Sequence, residues 1–255
     1  MTDILMLFFL FFTGSTLGWC LETVFRRFCR DNKTHKWINP GFLIGPYLPL
    51  YGFGLCTLFL LAESENFIPI SNPIALKITV ILLMAVCMTL LELIAGLIFV
   101  RGMNVKLWDY SDKPFNYKGI ICPEFSFYWV LLAIVYYLFI HPEILSALKW
   151  FSSNLAFSFV LGVFFGVFVI DLCYSMQIAA KIRRFAADND ILVRYEELKA
   201  NIRRYAEERK EKYLFMFAFR SKIPLYEHLM RYFKLQQTFK KMKNPPADTD
   251  DIDEI

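Results

Sequence analysis

Three carboxylates sit inside apolar runs of this chain: Glu22, Glu92 and Asp171. A carboxylate at membrane depth costs on the order of 2.5–3.5 kcal/mol on insertion scales, and such residues face a bundle interior, a cavity or a partner charge. Glu92 lies about 13 Å, at helical rise, before the next charge, Arg101, and Asp171 about 15 Å before Lys181. Glu22 is nearer the end of its run. A fourth acid, Asp109, belongs to a connector that also holds Trp108, Tyr110, Pro114, Asn116 and Gly119. Such residues favour tight turns and aromatic caps over solvated coil, so the connector reads as a structured plug against the helix ends. The expectation is one cytoplasm-facing pocket where Glu22, Glu92, Asp109 and Asp171 meet, with Arg26, Arg27 and Arg101 as nearby cations. Acids left over from charge pairing would bind a substrate or ion, or hold protons. The plainer alternative is internal pairing, Glu22 with Arg26 and Asp171 with Lys181.

These residues need elements to carry them. The chain has 255 residues, is 56% hydrophobic and 18% aromatic, and contains 27 Phe, which is too apolar for a soluble domain. The fold class expected is all-α, a polytopic helical bundle followed by a cytoplasmic helical segment. Five apolar runs approach the roughly 20 residues that cross a bilayer: 4–24, 42–62, 74–100, 125–140 and 153–176. Connector charge alternates. Arg26, Arg27, Arg30, Lys33 and Lys36 follow the first run, and Arg101, Lys106, Lys113 and Lys118 follow the third. The second connector carries only Glu63 and Glu65, and the fourth has a single base, Lys149. The positive-inside rule then places the N-terminus outside and the C-terminus in the cytoplasm of a cell-membrane protein. No cleavable signal peptide is read in the first run.

The second run opens Asn39-Pro-Gly-Phe-Leu-Ile-Gly-Pro-Tyr-Leu-Pro-Leu-Tyr-Gly52. Gly45, Pro46, Pro49 and Gly52 break or kink a helix, and broken backbone persists at membrane depth only when buried in protein or lining a wet cavity. Its freed backbone groups, with Tyr51, are candidate contacts. Gly14, Gly18, Glu22 and Arg26 form an i, i+4 stripe, and Gly96, Gly162 and Gly166 are further small residues. Close packing within the chain is the expected use. A faint repeat relates the first two runs to the third and fourth.

Three segments are expected: a transmembrane domain over 1–176, basic amphipathic helices over 177–243 and a disordered acidic tail over 244–255. Residues 177–243 hold 17 Lys+Arg against 8 Asp+Glu, and 244–255 hold five acids and no base. Ile182, Phe185, Leu192, Tyr195, Leu198, Ile202 and Tyr205 recur at helical spacing, with Pro224 dividing off a second helix. Anionic inner-leaflet lipids are the expected partner of these bases, and nucleic acid is not.

No GxxxxGK[ST], HExxH, CxxC or GxSxG motif occurs, no metal spacing is seen among the scattered His and Cys, and no cofactor is expected. Whether the chain is an enzyme stays open. Gly18-Trp19, Glu22, Arg26, Gly41–Gly52, Leu91-Glu92, Gly96, Leu107–Ser111, Pro114–Asn116, Gly119–Cys122 and Trp129 together resemble the CmpB-like family, described as ABC-transporter type IV permeases. The Trp-Asp-Tyr and Pro-Phe-Asn blocks are the most specific, and the likeness covers roughly residues 5–176. It implies transport with a separate ATPase subunit. Five spans are few for a pathway, so a homo-oligomer or a partner would complete it. The alternative is a membrane-embedded enzyme or lipid-handling protein acting at the inner leaflet. The candidate residues are Glu22, Arg26, Gly45, Pro46, Tyr51, Glu92, Trp108, Asp109, Tyr110, Asn116 and Asp171.

Overall fold

A computed structural model describes residues 3–28, 32, 35–209, 218–219 and 223–243, with side chains through residue 238. The acidic tail, Arg30 and Lys33 lie outside the described residues. The described residues are helical almost throughout. In order come α1 (Asp3–Phe28), α2 (Pro49–Glu63), α3 (Pro73–Met103), α4 (Pro123–Val135), α5 (His141–Ser153), α6 (Ser158–Asp188), α7 (Tyr195–Glu208) and α8 (Leu225–Lys243). Two short strands, β1 (Val105–Lys106) and β2 (Val193–Arg194), pair in parallel. The chain divides into two compact units, the first ending at Tyr195 and the second starting at Glu196.

Among the described residues four stretches are long and apolar enough to cross a membrane: Asp3–Phe28, Pro73–Met103, Pro123–Ser153 and Leu155–Asp188. The second apolar run does not form a helix of that length. α2 has 15 residues, about 22 Å of rise against a hydrocarbon core of roughly 30 Å. The remainder of that run, before Pro49, is irregular backbone. The fourth run is longer than its apolar core suggests. α4 passes through a π-helical turn, Tyr136–Ile140, directly into α5, and Phe151 of α5 stacks on Phe9 of α1 at 4.7 Å.

Local chemistry explains the boundaries. Pro49, Pro73 and Pro123 occupy first turns, where the missing N–H costs nothing and the fixed φ suits a helix. Asn72 caps α3 by accepting from the amides of Ile74 and Ala75 at 2.9 and 3.2 Å. The far end stops at Asn104, left-handed at φ 53°, whose amide returns to the Phe99 carbonyl.

The long helices sort their faces by i, i+4 rows. On α3 the row Val80, Met84, Met88, Glu92 and Gly96 is buried, while Ile78, Leu82, Val86, Leu90, Ile94 and Ile98 are exposed. The exposed row is as apolar as the buried one, as expected of a lipid-facing surface. Glu92 therefore lies in the inward row. α6 likewise buries Asp171, Ser175 and Ala179 in one row. The core gathers Leu10, Leu58, Val80, Met84, Ala133, Tyr136, Phe151 and Leu161 from α1 through α6.

The first glycine stripe is consumed inside the chain. A Cβ on Gly14 would stand 2.7 Å from the Tyr51 carbonyl and from Leu55 Cβ, and one on Gly18 would collide with the Tyr51 ring. Gly162 and Gly166 differ: nothing lies within 4 Å of a Cβ built on either. Past Met176, α6 runs on to Asp188 and stops in the Asp188-Asn189-Asp190 run, where Asp190 turns left-handed at φ 49°. The apolar pattern from Ile182 to Tyr205 is thus two helices with a break, not one.

Gly18→Val should destabilise the first unit by about 1–3 kcal/mol, the usual cost of overpacking, by driving Tyr51 from its seat. Thermal unfolding in detergent reads it, and Gly162→Val, in open space, should leave the midpoint unchanged.

Candidate functional site

The irregular stretch before α2 is buried at Asn39, Phe42, Leu43, Tyr47 and Leu48. Buried backbone without a helix must find other hydrogen-bond partners. Asp171 supplies them from α6. Its Oδ1 accepts the Ile44 amide at 3.1 Å, and its Oδ2 accepts the Gly45 amide and the Tyr47 hydroxyl, each at 2.7 Å. Ser175, one turn along α6, donates to Oδ1 at 3.0 Å. Asn39 takes the neighbouring carbonyls: its side-chain amide donates to Ile44 O at 3.0 Å, and its Oδ1 accepts from Trp19 Nε1 at 2.7 Å. The Leu48 amide donates to Ser15 O, and the Tyr195 hydroxyl to Phe42 O. Asp171, 9% exposed, is committed to holding this backbone in place.

A second set links Glu22 and Glu92. Arg26 Nε donates to Glu22 at 2.9 Å, and the Tyr51 hydroxyl donates to its other oxygen at 3.0 Å. The Tyr51 ring lies 6.4 Å from that of Trp129, and Trp129 Nε1 donates to Glu92 Oε2 at 2.9 Å. The Tyr110 hydroxyl takes Glu92 Oε1 at 3.0 Å, and its ring stacks on Phe125 at 4.2 Å. The two carboxylates are close enough that each bears electrostatically on both tyrosines. Burial first, then the charge and hydrogen bond of Glu92, push the Tyr110 phenol far above its ordinary value, so it remains a donor. Glu92 is 4% exposed, and among the described residues no cation pairs with it.

The connector is a compact turn assembly. Trp108 Nε1 donates to Ile120 O at 2.8 Å, and the Tyr110 amide to Gly119 O at 2.9 Å. Asn116 accepts from the Gly119 amide and donates to Lys113 O. Gly119 adopts φ 68°, where a side chain would also run into Asp109 and Ser111. Asp109 receives Lys106 Nζ at 2.9 Å and Arg194 Nε at 2.9 Å, alongside the β1–β2 pairing. Burial alone would raise the Asp109 pKa, but hydrogen bonds from Ser111 and Lys106 outweigh it and hold the carboxyl below its ordinary value.

The four acids named from sequence thus fall into three sets with separate partners. Glu22, Arg26, Tyr51, Glu92 and Tyr110 form one linked network. Asp109 belongs to the connector latch. Gly45 and Asp171 belong to the backbone clasp, where Pro46 is exposed. Trp108 and Asn116 tie the connector to itself. Asp171 meets backbone amides rather than Lys181, while Glu22 does pair with Arg26. Trp129, Tyr47, Ser175, Asn39 and Arg194 were missed as site residues. Trp129 carried a signal, as one of the residues behind the family resemblance. Arg194 carried none.

A further polar group went unread. His141 Nε2 lies 3.3 Å from Glu63, the Tyr136 hydroxyl lies 3.2 Å from His141 Nδ1, and Tyr137 donates to Glu65 at 2.5 Å. Among the described residues no group of three His, Cys, Asp or Glu is placed to hold a metal.

A bundle of apolar helices around hydrogen-bonded intramembrane carboxylates defines a multi-pass membrane protein. A family model described as "Putative ABC-transporter type IV" matches residues 9–176, more than half of the chain. The chain belongs to this family, as the Trp108–Tyr110 and Pro114–Asn116 blocks suggested, and is a transport-related membrane protein. No curated protein and no solved structure matches it.

Asp109→Asn should lower the unfolding midpoint at neutral pH. A hydrogen bond to a charged group contributes about 1.5–3 kcal/mol, and screening at this half-buried site keeps the loss near the lower end. Because the folded pKa is depressed, the carboxylate stabilises above the ordinary Asp range and loses its effect as pH falls through the folded value. The gap between variant and parent should close in acid. A gap that ignores pH would remove the charge from the explanation.

Proposed function

We propose that this chain is the permease subunit of an ABC-type transporter, working with a separate ATPase, and that the Glu22–Tyr51–Trp129–Glu92–Tyr110 network is its polar site on the cytoplasmic side. The observation that carries this is Glu92. Both its oxygens are held by neutral donors, an indole from α4 and a phenol from the connector, with no counter-cation among the described residues. A carboxylate kept at membrane depth by neutral donors retains its charge, or its proton, for something other than a structural ion pair. The donors come from separate elements, so a ligand or proton arriving at Glu92 bears on α3, α4 and the connector together. Further copies of the chain, or the ATPase, complete the pathway.

The N-terminus lies outside and the C-terminus in the cytoplasm of the cell membrane. Connector charge supports this, with Arg26, Arg27, Arg101, Lys106, Lys113 and Lys118 on one side and Glu63 and Glu65 on the other. The bases after residue 176 are attracted to anionic inner-leaflet lipids at about 1 kcal/mol each near the surface.

Orientation is checked by placing a cysteine at Asn66 or at Asp112 and labelling with a membrane-impermeant thiol reagent. The Asp112→Cys thiol should react from the cytoplasm and the Asn66→Cys thiol from outside. Reversed labelling would overturn the orientation. Glu92→Gln keeps the shape and both donors' reach while removing the charge. Purified from native membranes, the parent should retain an ATPase whose turnover rises with transport, and Glu92→Gln should cut that coupled turnover at least about tenfold at unchanged expression and unfolding midpoint. No associated ATPase, or full coupling in the variant, sinks the reading.

A further inference from the structure

What Glu92 is able to take up follows from the hydrogens that face it. Trp129 Nε1 donates to Oε2 at 2.9 Å, and the Tyr110 hydroxyl donates to Oε1 at 3.0 Å. We propose that the ligand of this site is a proton, taken up on Glu92 Oε1 and passed on to the connector as a reversal of the Tyr110 hydrogen bond. The inference rests on the reading of this network as the polar site and names what binds there.

Other ligand classes fit the surroundings poorly. A metal cation would meet the hydrogens of both donors instead of lone pairs, and an anion would meet the charge of the carboxylate itself. An organic ligand needs room. Glu92 is buried, and the Tyr110 ring that covers it is stacked on Phe125. One turn along α3, Ile120 occupies the space that a Cβ on Gly96 would need. A proton requires none of this space.

The two donors are not equivalent. An indole N–H only donates, so Oε2 remains an acceptor whatever the state of the acid. A phenol hydroxyl donates and accepts, so Tyr110 is the partner that turns to receive a hydrogen from Glu92. The new O–H bond therefore forms at Oε1, its proton supplied by an acid of the surrounding solution whose base stays behind. The bond to the connector changes from charge-assisted to neutral, at roughly half the strength, and changes direction. The bond from α4 keeps its direction.

Charge supplies the reason for uptake. The other titratable groups that bear on Tyr51 and Tyr110 are Glu22, Arg26 and the Cys122 thiol. Glu22 and Arg26 are paired at 2.9 Å and cancel, so ionised Glu92 leaves the set with one negative charge. A proton on Glu92 makes it neutral, the state that membrane depth favours. Glu22, with 22% of its side chain exposed, is the member of the set that meets solution.

The full chain is held in phosphatidylcholine nanodiscs and its infrared spectrum followed as pH is lowered. The C=O band of a neutral carboxylic acid should grow in, and Glu92→Gln should lose it. The glutamine amide places an N–H where the acid holds its proton, so this variant should keep the connector in its protonated state. Amide exchange over residues 108–122, corrected for its intrinsic pH dependence, should quicken several-fold as the parent takes up the proton. In Glu92→Gln it should be fast at every pH. Tyr110→Phe removes the group that turns: the band should persist at a shifted frequency, which assigns it even if Glu92→Gln does not fold, and the pH step in exchange should vanish. The proposal is overturned by the lack of any band assignable to Glu92, by a band that ignores pH, or by an exchange step that survives in Tyr110→Phe. No ATPase or substrate enters these measurements. A coupled transporter without the titrating band keeps the permease reading and loses this one, and a chain without an ATPase that shows the band does the reverse.

Discussion

Two backbone amides, those of Ile44 and Gly45, depend on one carboxylate 127 and 126 residues further along the chain. Without Asp171 the irregular stretch from Asn39 to Leu48 would leave donors unsatisfied at membrane depth, where each costs several kcal/mol. The clasp also explains why α2 is short. Backbone satisfied by a side chain need not be satisfied by a helix, so the chain turns and regains helical form only at Pro49. Tyr51 then falls two residues into α2, opposite Gly18, and reaches Glu22. The acid on the last long helix thus sets where the second helix begins, and hence which tyrosine meets the first.

Glu92 gains its setting by a different route. Its row on α3 is filled by Val80, Met84, Met88 and Gly96, so helix periodicity aims it inward, and Gly96 leaves room for Ile120 of the connector to press down beside it. That contact brings Tyr110 over the carboxylate. The tight turns of Asn116 and Gly119 are therefore the means by which a cytoplasmic connector reaches a residue inside the helices.

Much of this was legible in the residues. Apolar length, the Pro-rich start of the second run and the Trp-Asp-Tyr block led to the helical membrane fold and the family, since these signals are local. The glycines of the first run announced close packing within the chain, though not that α2 would be the partner, because close approach needs small residues wherever the partner lies. What the chain did not disclose is pairing at long range. Nothing near Asp171 says that its partners are amides at Ile44 and Gly45 and not the Lys181 ammonium, and nothing near Asp109 points to Arg194. A carboxylate shows in sequence that it needs partners, and only the fold shows which donors arrive. The length of the fourth helix was hidden for another reason: α5 is less apolar than a span, and its continuity with α4 depends on the turn between them.

That turn, Tyr136–Ile140, winds one residue more than an α-helical turn does. In a continuing α-helix an additional residue would rotate everything after it by about 100° around the axis, and the wider turn absorbs that rotation. Tyr136 and Tyr137 therefore serve two different neighbours, His141 and Glu65, and Phe151 lands on Phe9. A chain one residue shorter in this turn would wind as plain α-helix with Phe151 and Leu148 still facing α1, so the wide turn is what lets a segment of the present length meet the rest of the bundle in that phase.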